Sequence, residues 1–161
     1  MVRAFIQRTD NQSVVPLVKK IVKASFAVVL STVCFHVLAI LYGAPVIESS
    51  AETFHFALLL SVTTVLPCIC VLGQDSYRWS RVFLHNSPSL GAETVVLFTT
   101  YGSLVGAWLG AFPIPLDWDR PWQVWPISCV IGNLIGYMAA LAVSSVYIYH
   151  KYNVSKKFKL T

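Results

Sequence analysis

From Tyr101 to Ser144 the chain sets small residues at every fourth position in two successive apolar runs: Gly102, Gly106 and Gly110, then Gly132, Gly136, Ala140 and Ser144. At that spacing the small residues share one helix face and let another backbone approach closely, which is how helices associate in lipid. Between the runs lies PIPLDWDRPWQVWP, Pro113 to Pro126, with four prolines, three tryptophans and three charges. Proline fixes φ, so this connection is expected to be stiff. The pattern predicts a helical hairpin joined by a rigid Pro/Trp loop. Its small-residue faces either pack the hairpin onto itself and its neighbours or leave one glycine face for a partner chain.

Such a hairpin needs a solvent, and the composition names it. Hydrophobic residues make up 56% of the 161 residues and charged ones 12%, against about 25% charged in a soluble domain. So small a soluble fold could not hide that much apolar surface, so the fold class is an all-α membrane protein. Four spans are expected, at about 21–43, 52–72, 93–112 and 124–149. The first, at about 22 residues, is about 33 Å long as a helix, enough to cross a bilayer. Gly43 and Pro45 end it, and Gly73 caps the second. Pro67 predicts a kink in the second span, with Thr63 and Thr64 placed to satisfy the freed carbonyl. Residues 73–92 alternate Tyr77, Trp79 and Phe83 with Arg78 and Arg81, the pattern of a short segment lying in the interface.

Orientation follows from the basic residues. Eleven of the 12 Lys and Arg lie in the lead-in of residues 1–20 with Lys23, in the 73–92 loop and in the tail of residues 150–161. Both termini and that loop are therefore expected to be cytoplasmic, with residues 44–51 and 113–123 on the other side. The net charge of +5 thus belongs to membrane anchoring, and no nucleic-acid partner is expected. The triplets at Asn11 and Asn153 fall on the cytoplasmic side and are expected to stay unglycosylated. The beginning is too polar for a secretory signal peptide. Cys34, Cys68, Cys70 and Cys129 all fall inside apolar runs, without metal-site spacing, and are read as buried thiols.

Chemistry has few footholds. Glu48, Glu52 and His55 stand at i, i+4 and i+7, a face that could hold a divalent metal if the helix began early. The simpler reading of the glutamates is as solvated acids at a helix N-terminus, favoured by the helix dipole. His36 is the one ionisable side chain near mid-membrane, a proton relay or a packed residue bonded to Thr32 one turn earlier. Asn133 reads as interhelical glue. Arg120 can meet a phosphate headgroup, so membrane lipid is one expected partner, or it can pair with Asp117 and Asp119. Phosphate loops, nucleophile elbows and zinc-protease helices are absent from the sequence, as is the D-G-x-x-A-R core of CDP-alcohol phosphotransferases. No catalytic residue, metal or cofactor is assigned.

Two blocks carry a resemblance: FHVLAILYGAPVIESSAETFHFALLLSVTTVLPCICVLG, Phe35 to Gly73, and VGAWLGAFPIPLDWDRPWQVWPISCVIGNLIGY, Val105 to Tyr137. Both closely resemble the PIG-F family of GPI-anchor biosynthesis proteins, over about Ala24 to Tyr149. The resemblance implies an endoplasmic reticulum protein that is not itself a catalyst. It would stabilise large multi-span ethanolamine-phosphate transferases, PIG-O-like and PIG-G-like, which move ethanolamine phosphate from phosphatidylethanolamine onto mannose of the GPI precursor. The family's loop falls on Pro113, Pro115, Asp117, Trp118, Arg120, Pro121, Trp122, Trp125 and Pro126, and its YGAP turn on Tyr42 to Pro45. About six spans are typical of the family, against four here. The residues expected to meet a partner are Gly102, Gly106, Gly110, Gly132, Gly136, Asp117, Trp118, Arg120, Trp122 and Trp125. The alternatives are a membrane enzyme using Glu48, Glu52, His55 and Asp117, or a small transporter built on His36 and Asn133.

Overall fold

The computed structural model describes residues 2–73, 75–116 and 120–158, with side chains from Leu17 to Lys156 within them. Among the described residues all regular structure is helical: α1 (Val2–Leu41), α2 (Ser50–Leu60), α3 (Leu66–Leu72), α4 (Ser76–Trp79), α5 (Ala92–Ala111) and α6 (Ile127–Phe158). A π-helical turn, Ser61–Val65, joins α2 to α3 without a break, and a second, Ser80–Leu84, extends α4. Among the described residues four stretches are long and apolar enough to cross a membrane: Leu17–Leu41, Ser50–Leu72, Ala92–Leu116 and Ile127–Lys156.

The distribution of side chains is inverted relative to a soluble protein. Thr32, Thr53, Ser61, Thr64, Thr99, Ser103, Asn133 and Ser144 are buried, whereas Phe26, Leu41, Trp108, Ile135 and Val146 are exposed. Most of these hydroxyl and amide groups find partners inside, although the Ser103 hydroxyl has none among the described residues, and large apolar side chains face outward only where lipid is the solvent. Most of these hydroxyls bond back to a carbonyl one turn earlier, as Thr99 does to Val95 at 2.9 Å and Ser61 to Ala57 at 3.0 Å. Small, self-satisfied side chains of this kind let the helices close on one another.

The turn chemistry follows the sequence. Gly43 adopts φ +99° one residue beyond Tyr42 and its N–H reaches the Ile40 carbonyl at 2.9 Å. Gly73 at φ +66° closes α3 the same way, onto Ile69. Both need a backbone conformation that a side chain disfavours.

Several expectations are corrected. Residues 2–20 continue α1 rather than preceding it, and α6 runs on through Phe158 instead of giving way to an irregular tail at residue 150. The fourth span starts at Ile127, not 124, because Pro121–Gln123 forms a short 3-10 turn and Val124 is extended. Pro67 is absorbed by the preceding π-helical turn, in which the Leu66 N–H reaches back five residues to Ser61. The Thr63 and Thr64 hydroxyls bond Leu59 and Leu60 instead, at 3.0 and 2.6 Å. Of the cysteines, Cys68 and Cys129 are buried but Cys34 and Cys70 are exposed. Two residues are about 200° of helix rotation. Cys34 and Cys70 therefore point away from the faces on which Thr32 and Cys68 meet neighbouring helices.

Candidate functional site

The site begins with the α5/α6 seam, the most extensive helix pairing among the described residues. Gly102 lies against Gly136 and Ala140: a Cβ added to it would sit 2.6 Å from the Gly136 carbonyl oxygen. Gly106 and Gly132 face each other so closely that a Cβ on either would run into the other's carbonyl oxygen. A Cβ on Gly110 would come within 2.8 Å of the Cys129 Cα. The two runs of small residues therefore interlock with one another. Of the two readings open in the sequence, the one in which the hairpin packs on itself describes all five glycines, and the close approach is made within the chain.

Above the seam sits the Pro113–Pro126 loop, and one side chain organises it. Gln123 is buried; its Oε1 accepts from the Arg120 N–H at 2.9 Å and its Nε2 donates to the Pro113 carbonyl at 2.8 Å. A second link, the Gln123 N–H to the Arg120 carbonyl, is 2.9 Å long. The entry and exit of the loop are thus stitched together through a single amide. Sequence reasoning singled out prolines and tryptophans here and passed over Gln123.

Trp125 is an internal tie. Its indole N–H donates to Thr53 Oγ1 at 2.9 Å, and its ring stands edge-on to Phe56 with centroids 5.5 Å apart. With Phe56, Leu60, Ala107 and Cys129 it closes an apolar cluster that joins α2 to the hairpin. Arg120 projects outward, and Trp122 is 42% exposed at the loop's rim. Asp117 and Trp118 lie outside the described residues, as does Asp119.

At the opposite end of α5, a tie not foreseen in the sequence holds the 73–92 segment. Arg81 Nη2 lies 2.6 Å from Glu93 Oε2 and 2.7 Å from Oε1, and the Ser89 N–H donates to the same carboxylate at 2.8 Å. Val82 is wholly buried against Cys68, Leu72, Val96 and Leu97, with Trp79 and Phe83 packed on the cluster. The Trp79 indole donates to the Gly73 carbonyl at 3.0 Å. Within the segment read from the sequence as lying in the interface, Ser76–Trp79 and Ser80–Leu84 are helical, and one face is packed into the bundle. The signal was an acid standing alone at the start of an apolar span, which needs a cation.

Asp117 aside, which lies outside the described residues, the residues of the two alternatives form no shared site among the described residues. α2 starts at Ser50, so Glu48 precedes it, and Glu48, Glu52 and His55 are all exposed. His55 Nδ1 lies 2.7 Å from the Ala51 carbonyl of its own helix. Among the described residues no three His, Cys, Asp or Glu come close enough to hold a metal ion. His36 is not bonded to Thr32, whose hydroxyl donates to the Val28 carbonyl at 2.8 Å and lies 3.1 Å from Ser61 Oγ. His36 instead stands edge-on to Phe54, centroids 6.1 Å apart. Asn133, fully buried, reaches Thr63 Oγ1 at 3.4 Å and the Ser103 carbonyl at 3.3 Å through its Nδ2. It bridges α5, α6 and the π-helical turn, as an interhelical glue residue should.

Comparison with known proteins adds to this geometry. A family model described as GPI biosynthesis protein family Pig-F matches residues 2–145. A human protein named GPI ethanolamine phosphate transferase, stabilizing subunit, is 53% identical over 120 residues, covering 74% of this chain and 55% of the human protein. The mouse protein of the same name is 48% identical over 132 residues, 82% of this chain and 60% of its own length. Glycosylphosphatidylinositol anchor biosynthesis protein 11 of Yarrowia lipolytica is 39% identical over 116 residues, 72% of this chain and 50% of the yeast protein. The chain spans a little over half the length of the two mammalian relatives. No solved structure matches it.

Proposed function

The chain belongs to the GPI biosynthesis protein family Pig-F, and from that premise we propose that it acts as a non-catalytic stabilising subunit of GPI ethanolamine-phosphate transferases. The supported activity is transfer of ethanolamine phosphate from phosphatidylethanolamine to mannose of the GPI precursor, in the endoplasmic reticulum membrane. The partners are the multi-span catalytic subunits, PIG-O-like and PIG-G-like. Both termini and the 73–92 segment face the cytoplasm, and the Pro113–Pro126 loop faces the lumen with the chemistry.

The observation that carries this reading is the loop held by Gln123 and presented on an interlocked hairpin. Recognition by a rigid surface loses little conformational entropy on binding, and this loop is fixed from both ends. Arg120, Trp122, Asp117 and Trp118 carry the partner contact. Gly102, Gly106, Gly110, Gly132 and Gly136 serve it by fixing the hairpin beneath, and Trp125 by fixing the loop to α2. Glu48 precedes α2, and Glu48, Glu52 and His55 are all exposed, which lends no support to a catalytic role.

The test is a detergent pull-down of the tagged chain with an assay of labelled ethanolamine-phosphate transfer. Co-purification of a large transferase, with activity following it through separation, is the expected result. Turnover by the chain freed of every partner overturns the reading.

A further inference from the structure

Four lysines stand at one end of the bundle. Lys19 and Lys20 lie near the start of the first span, Leu17–Leu41, and Lys151 and Lys156 near the end of the fourth, Ile127–Lys156; all four are exposed. Thr32 meets Ser61 and His36 meets Phe54, so α1 runs antiparallel to α2 and its lysines lie toward Gly73. The Tyr147 ring packs on Phe98, six residues after Ala92 in α5, which brings Lys151 to the same end.

Their depth is set by helix length. With Leu41 and Ile127 at the far boundary of the hydrocarbon, Lys20 and Lys19 stand about 32 and 33 Å from Leu41 at 1.5 Å per residue. Lys151 and Lys156 stand about 36 and 44 Å from Ile127. The hydrocarbon is about 30 Å thick and each headgroup layer adds about 5–8 Å. Three of the lysines therefore fall within that layer, and Lys156 within a Debye length of it, about 8 Å. Tyr149 and Tyr152, 70% and 61% exposed, stand beside them, as aromatic side chains do at a membrane interface.

No carboxylate offsets this charge. The acids whose side chains are described at this end, Asp75 and Glu93, are paired with Arg78 at 3.7 Å and with Arg81 at 2.6 Å. Among the described residues none of the four lysines forms an ion pair. Lys151 instead stands over the Tyr147 ring, its Nζ 5.8 Å from the centroid, a contact that places the ammonium without neutralising it. In the sequence Lys157 and Lys159 follow, and no acid comes after Asp119.

We propose that this end of the bundle gathers anionic glycerophospholipids, whose net negative headgroups pair with Lys19, Lys20, Lys151 and Lys156. A zwitterionic headgroup carries an ammonium of its own, which opposes the lysines, so the preference is for lipids with net negative charge. Lysine suits the task, because a point charge on a flexible stem reaches any phosphate in range and demands no fixed geometry. The distribution of basic residues orients the chain; uncompensated charge at headgroup depth adds a choice of lipid. The site needs no second protein, so it stands or falls apart from the transferase reading.

The experiment reconstitutes the full chain into phosphatidylcholine bilayers with spin-labelled phosphatidylserine or spin-labelled phosphatidylcholine as the probe. Electron paramagnetic resonance reads the fraction of each probe immobilised at the protein. At about 20 mM salt phosphatidylserine should associate at least about three-fold more strongly, since one lysine contributes about five-fold at its own position. At about 1 M salt, where the Debye length is about 3 Å, the two probes should converge. Lys19→Gln, Lys20→Gln, Lys151→Gln and Lys156→Gln together should bring the low-salt ratio to about one, whereas arginine at the same four positions should keep it. Equal association of the two probes with the unaltered chain at low salt overturns the proposal, as does a preference that survives the four glutamines. Should the glutamine variant not fold, the ratio for the unaltered chain at the two salt concentrations decides by itself.

Discussion

The indole N–H of Trp125 donates to the hydroxyl of Thr53 at 2.9 Å, joining the approach to α6 with the first turn of α2 across 72 positions of sequence. This bond fixes the end of the Pro113–Pro126 loop to the start of α2. A double-mutant cycle with Thr53→Val and Trp125→Phe isolates it. A coupling of about 0.6–1 kcal/mol is expected in thermal unfolding in detergent, the usual size of a bond inside a membrane bundle. Additive single effects would mean that the contact contributes nothing.

Gly106→Leu should destabilise the chain by about 1–3 kcal/mol, the usual cost of overpacking, because the nearest obstacle is the Gly132 backbone, which cannot rotate away. Ala142→Leu, on the exposed side of α6, should change stability by less than about 0.5 kcal/mol. The measurement is the melting temperature of both variants together with the yield of folded protein. Equal melting temperatures would show that the seam can open freely.

Arg81 and Glu93 form a charge pair in which the carboxylate side chain is 11% exposed and the arginine 32%. Removing one charge leaves the other partly buried; when Arg81 is the one removed, the Ser89 N–H still donates to the carboxylate. Arg81→Met or Glu93→Gln should each cost about 1–3 kcal/mol, less than the 3–5 of a fully buried pair because Arg81 is partly solvated. The double variant should be more stable than at least one of the singles, since no lone charge remains. A double variant that melts below both would show that the pair's worth lies elsewhere.

Arg120 is held by its backbone: its N–H and carbonyl, not its guanidinium, bond Gln123. Arg120→Ala should therefore leave the melting temperature unchanged and lower the amount of co-purified transferase several-fold. Gln123→Ala should lower both, because it cuts the stitch to Pro113 as well. Full recovery of the transferase by Arg120→Ala would remove the guanidinium from the contact surface.

Orientation is checked with single cysteines. In sealed microsomes a membrane-impermeant maleimide should label Ser87→Cys from the cytoplasmic side and reach Glu48→Cys only after the membrane is permeabilised. The reverse pattern would invert the topology and move the loop away from the lumenal chemistry.

The sequence by itself determined the solvent, the four spans and the hairpin, since these depend on local composition and spacing. A run such as Ile21–Tyr42 is apolar wherever it folds, and glycines at every fourth position share a face in any helix. It also carried the family, through the rare, ordered residues of PIPLDWDRPWQVWP. What tertiary structure alone decided is pairing. The meeting of Gly106 with Gly132, of Trp125 with Thr53 and of Arg81 with Glu93 depends on which helix lies beside which, and in lipid that is settled by close packing summed over the bundle. Local patterns also misplaced Cys34, Cys70 and the partner of Thr32, because an apolar run reads alike on the face that meets lipid and the face that meets another helix. Gln123 had no signal at all: an amide becomes structural only once its neighbours are in place.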